Sequence, residues 1–109
     1  MITKTTAIPA KLQTIIDDAK RQGLDTEIRE CGGDYLTMWS VTVERPRRPI
    51  ANMLDLIEMS ESIHLIAAKG VISGSRWSLT ATRMRYIGKA ERMTLKRVPF
   101  ALKMLSDNF

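Results

Sequence analysis

Two consecutive glycines, Gly32-Gly33, followed by Asp34, separate two runs that alternate apolar and polar residues. Such a pair supplies the positive φ of a tight hairpin, so residues 26–31 and 35–44 are expected to pair as antiparallel strands. In the second run Tyr35, Thr37, Trp39, Val41 and Val43 share one face, and Leu36, Met38, Ser40, Thr42 and Glu44 share the other. The odd-numbered face is the core candidate and needs a covering layer. Leu36 with Met38 leaves a smaller apolar patch opposite.

Helices are the expected cover. Pro9, with Ile8 before it to staple against Leu12, opens the first one. Leu12, Ile15, Ile16 and Ala19 form its apolar stripe, Lys11, Thr14, Asp17, Asp18 and Arg21 its solvent face, and Gly23 its end. Residues 44–49, Glu44-Arg45-Pro46-Arg47-Arg48-Pro49, read as a loop because each proline restricts itself and its predecessor. From Pro49, Ile50, Met53, Leu54 and Ile57 recur at helical spacing. One long or once-kinked helix is expected over 49–69, running through Ile63, Leu65 and Ile66 to a cap at Gly70, with Ser60-Glu61-Ser62 as the place where it would break.

Residues 75–98 read as a basic hairpin. Trp77, Leu79 and Ala81 alternate with Arg76, Ser78, Thr80 and Thr82, Gly88-Lys89 offers a turn, and residues 92–98 return with Met93 and Leu95 on one side. Arg83 and Arg85 share the parity of Trp77, so the strand overhangs the core there, bulges, or stops after Ala81. A helix over 78–95 is the competing local reading. Residues 67–73 also echo a helix-turn-helix turn, but Arg76 stands where the recognition helix should bury an aliphatic side chain. Pro99 can open a last short helix with Phe100, Leu102 and Leu105 facing inward. The fold class is α+β: one small domain over 1–109, in the order α-β-β-α-β-β-α. It has an antiparallel sheet of about four strands in two hairpins, with two to three helices on one face. Residues 1–7 form an arm or an edge strand.

The formal charge of +5 hides an asymmetry: residues 1–62 carry net −2 and residues 63–109 net +7. A local positive field of this kind selects a phosphate backbone or an acidic protein face. Phosphates need several Lys or Arg donors along a rigid element. The ribbon provides Arg76, Arg83, Arg85, Lys89, Arg92, Lys96 and Arg97, with Tyr86 as a ring on which a base can stack and Arg45, Arg47 and Arg48 as a second basic spot. Trp77 shares the parity of Leu79 and Ala81 and belongs to the core. The expectation is a small non-enzymatic regulatory module that binds nucleic acid. The alternative is an inhibitor or adaptor that docks the same basic face on an acidic partner protein, and a homodimer suits either reading.

Other chemistry is thinly represented. His64 is the only histidine, and Glu61 with His64, three apart on a helix, makes at most half of a metal set. Cys31 lacks a local histidine partner, and no glycine-rich phosphate loop is present. An enzyme would need Asp55, Glu58 or Glu61 to meet the ribbon in a cleft. No cofactor and no metal are expected. The seven methionines fill gaps in the core by default. No apolar run approaches the roughly 20 residues of a bilayer span, so no membrane is expected. The first residues lack a basic segment followed by an apolar one, and a single cysteine suits a reducing compartment, which together favour the cytoplasm.

Overall fold

Pro9, with φ −56° and ψ 142°, leads into α1 (Ala10–Arg21). The stripe of Leu12, Ile16 and Ala19 is fully buried, with Ile15 packed beside it. Gly23 at φ 81° reverses the chain: its N–H donates to the Lys20 carbonyl at 3.0 Å, and the Leu24 N–H donates to the Ala19 carbonyl at 3.0 Å. This closure satisfies two terminal carbonyls and turns the buried Leu24 into the core. The computed structural model describes residues 8–33, 36–70, 76–85 and 88–107. The expected arm at 1–7, the turn residues Asp34 and Tyr35, Tyr86, and residues 71–73 of the helix-turn-helix echo lie outside them.

The first hairpin forms, but Gly32 and Gly33, expected in its turn, belong to the ladder, opposite Thr37 and Leu36. β1 (Asp25–Gly33) and β2 (Leu36–Glu44) are antiparallel, with Ile28 opposite Val41 and Thr26 opposite Val43. Val41 and Val43 are buried, and Trp39 packs against the same cluster. A Cβ added at Gly32 would collide with the Leu36 carbonyl oxygen, which accounts for glycine at that end of the hairpin.

The expected helix over 49–69 is corrected. Only α2 (Met53–Met59) is helical, and Ser62–Gly70 is a strand, β3. β3 occupies the middle of a five-stranded antiparallel sheet in the order β1-β2-β3-β4-β5, completed by β4 (Ser78–Met84) and β5 (Ala90–Met93). Ile63, Leu65 and Ala67 alternate into the core beside Val43, Val41 and Trp39. His64, Ile66 and Ala68 take the other face, so the run carries apolar residues on both sides and its alternation is hidden in the sequence. Ser60 is the boundary: its N–H and Oγ both donate to the Leu56 carbonyl, at 3.2 and 2.7 Å, closing α2.

α2 owes its helix to capping rather than to burial. Asn52 Oδ1 accepts from the Asp55 N–H at 2.9 Å, and Asp55 Oδ2 accepts from the Ala51 N–H at 3.1 Å. Its apolar stripe does not rest on the core, since Met53 is 65% and Leu54 63% exposed and Ile50 and Ile57 are exposed beside them.

β4 places Ala81 between Leu65 and Met93. Neither a helix over 78–95 nor a helix-turn-helix is formed. The return strand, expected over 92–98, is shorter and earlier. After Met93 the chain makes a 3₁₀ turn at Leu95–Arg97 and enters α3 (Val98–Asp107). Val98, Ala101, Leu102 and Leu105 are buried, whereas Phe100, expected to face inward, is 67% exposed. The helical stripe at i, i+3, i+4 and i+7 is complete without it.

α1 and α3 therefore cover one face of the sheet, and Ser106 Oγ donates to Gln22 Oε1 at 2.8 Å between their C-terminal ends. Arg45 follows β2 and is only 3% exposed; its Nε donates to the Leu105 carbonyl at 3.0 Å, among the last carbonyls of α3. The architecture is α+β, and the described residues form five strands and three helices, one strand more than expected.

Two outcomes follow for stability in urea. Leu65→Ala is expected to cost about 2–5 kcal/mol and Leu54→Ala at most about 0.5 kcal/mol, an ordering that a core-facing helix over 49–69 would not produce. Arg45→Ala is expected to cost about 2–4 kcal/mol, because it strips a buried carbonyl of its donor and opens a void.

Candidate functional site

The β4–β5 turn closes through two backbone bonds: the Gly88 N–H donates to the Arg85 carbonyl at 2.9 Å and the Arg85 N–H to the Lys89 carbonyl at 3.1 Å. Pairing then runs Met84 with Ala90, Arg83 with Glu91, Thr82 with Arg92 and Ala81 with Met93. Because antiparallel pairs alternate, the backbone groups of Ala90 and Arg92 point away from β4. No strand among the described residues pairs with that outer edge.

Register also accounts for the parity of Arg83. It lies opposite the buried Ile63, on the face that the helices cover. There its guanidinium meets Glu61 Oε2 at 2.9 Å, both side chains partly buried. Arg85 pairs with Glu91 across the turn at 3.4 Å. Arg48 pairs with Asp55 of α2 at 3.1 Å. Arg45 is enclosed, as described above, and presents no charge to a ligand.

The remaining cations divide by position. Lys89, Arg92, Lys96 and Arg97 are exposed and follow one another along β5 and the 3₁₀ turn. Among the described residues no carboxylate lies within ion-pair distance of them. Arg47 is exposed in the loop before α2, beside Met59. Arg76 is exposed at the opposite end of β4, roughly 25 Å along the strand from Met84 at about 3.3 Å per residue. Trp77 is partly buried against the core, and the Lys69 ammonium sits 5.9 Å from its ring centroid, so both are engaged. Tyr86 lies outside the described residues.

Between β5 and α3 lies a cleft of about 310 Å³. Glu91, Arg92 and Met93 form one wall, Arg97, Phe100, Ala101 and Met104 the other, and Arg83 closes the back. Met104 is 37% exposed. Phe100 and Met104, four residues apart, make a second apolar stripe on α3, separate from the buried one. That second stripe is the signal by which the sequence could have revealed them as surface residues.

His64 belongs to a strand, so Glu61 and His64 do not share a helix face as expected. Ser62 Oγ and His64 Nε2 lie 3.1 Å apart, and Glu61 is held by Arg83. Among the described residues no three His, Cys, Asp or Glu side chains are grouped to hold a metal ion, and no helix is long and apolar enough to cross a membrane. Cys31 is exposed on β1.

The two ion pairs of the ribbon should differ. In double-mutant cycles the coupling between Arg83 and Glu61 is expected to be about 1 kcal/mol. That between Arg85 and Glu91 is expected below about 0.5 kcal/mol and absent near 1 M salt, because both of its partners are about half exposed.

Comparison with known proteins finds no family model that matches the chain, no curated protein similar to it in sequence and no solved structure similar to it in fold.

Proposed function

We propose that this chain is a small non-enzymatic regulatory module that binds nucleic acid along the edge formed by β5, the 3₁₀ turn and the start of α3. One observation carries the reading: Lys89, Arg92, Lys96 and Arg97 are all exposed and follow one another through the β4–β5 turn, β5 and the 3₁₀ turn, with no acid within ion-pair distance among the described residues. Phosphate contacts require cations in this condition, since an arginine already held by a carboxylate gains little by changing partners. The reading omits Arg45, which is buried, and gives Arg83 and Arg85 a supporting part because Glu61 and Glu91 hold them. Arg76 and Arg47 lie apart from the edge and add a weaker, longer-range field.

A second reading, an adaptor or inhibitor that docks on an acidic partner protein, is favoured by the outer edge of β5, with which no strand of the described residues pairs. An extended acidic segment can add there as a further strand and meet Arg92 and Arg97. The cytoplasm remains the proposed compartment.

Fluorescence anisotropy with a labelled oligonucleotide at two salt concentrations tests the leading reading. Four phosphate contacts give a slope of log affinity against log salt of about −3.6 on duplex DNA and about −2.8 on a single strand. Replacing both Lys96 and Arg97 by Gln should bring the slope about 1.4–1.8 closer to zero. Absence of binding, or a response flat in salt, rejects nucleic acid; capture by an acidic peptide alone would favour the second reading.

A further inference from the structure

Phe100 is out of place for a core residue and well placed for a ligand. It is two-thirds exposed, it stands outside the buried stripe of α3, and it shares the cleft with Arg92 and Arg97. A phosphate backbone makes no use of an exposed phenyl ring and the apolar side chains of Met93 and Met104 on the two walls, but a nucleobase does: every base has a π face that stacks on an aromatic side chain. We infer that the cleft between β5 and α3 takes an unpaired base of a single-stranded nucleic acid, stacked on Phe100, with the flanking phosphate held by Arg97. This rests on the nucleic-acid reading and narrows it to strands whose bases are free.

Size and charge agree. A cleft of about 310 Å³ falls at the small end of ligand pockets, roughly 300–1,000 Å³, which suits one nucleoside and excludes a duplex. A base inside a duplex is stacked on its neighbours and cannot reach the ring without being turned out of the helix. The one acid of the walls, Glu91, is paired with Arg85, which reduces its repulsion of phosphate. The aromatic residues that the basic ribbon itself contains do not compete for the role within the described structure, since Trp77 is engaged with the core and Lys69.

The experiment compares a labelled single-stranded oligonucleotide of about ten nucleotides with its duplex, using the full chain and the Phe100→Ala, Phe100→Tyr and Arg97→Gln variants. Stacking on one ring is worth about 5- to 160-fold in affinity when removed by alanine. The expected result is tighter binding of the single strand, a loss of about 10-fold or more with Phe100→Ala on that probe only, retention with Phe100→Tyr, and weakening of both probes with Arg97→Gln. Urea unfolding of Phe100→Ala should match the parent, because the ring is mostly exposed. Equal binding of both probes with no effect of Phe100→Ala overturns the inference and leaves the phosphate-binding edge standing. Binding of neither probe overturns both.

Discussion

Among the described residues the sheet buries only one of its faces, and the other features follow from that constraint. α1 and α3 both lie over the side that carries Val41, Val43, Ile63, Leu65, Ala67 and Ala81. On the opposite side Ile66, in the central strand, is 40% exposed, so no layer of described residues covers it there. Residue parity along each strand therefore decides between core and solvent, as it must when one face alone is packed. It sends Arg83 to the covered side, where Glu61 meets its guanidinium. Arg92 goes to the open side of the outermost strand, where it reaches water.

What was legible in the sequence was the part punctuated locally. Pro9 and Gly23 bracket α1, and Gly32 with Gly33 marks the first hairpin, because a fixed φ or a positive one is a property of a residue and its immediate neighbours. β3 was not legible for the converse reason. Its residues 62–70 are apolar on both faces, Ile66 and Ala68 standing opposite Ile63, Leu65 and Ala67, and nothing in the run itself separates such a strand from a helix. The preceding residues strengthened the misreading: Ile50, Met53, Leu54 and Ile57 keep helical spacing although their stripe is exposed. Periodicity identified the helix there and misplaced the core.

The candidate site was legible as a concentration of charge, with its geometry hidden. Which arginines are available depends on acids and carbonyls that other elements deliver: Glu61 from the start of β3, Asp55 from α2, the Leu105 carbonyl from the end of α3. None of these is near its partner in a way that spacing announces. Arg45 and Arg47 are two residues apart in one loop, yet one is enclosed and the other exposed. Phe100 was read as core because it follows Pro99 in an apolar segment, and only the completeness of the stripe Val98, Ala101, Leu102 and Leu105 shows that it is surplus to the core.

The strand order has a consequence for how the molecule comes together. Each strand pairs with its neighbour in the chain, so the sheet can grow by successive short closures of the kind associated with rapid folding. α3 is different. It must settle across the finished sheet, and Arg45, sixty residues upstream, receives its last turn. One wall of the cleft thus comes from the far end of the chain: with its last helix undocked, the molecule would possess Glu91 and Met93 of β5 but not the ring on the other wall.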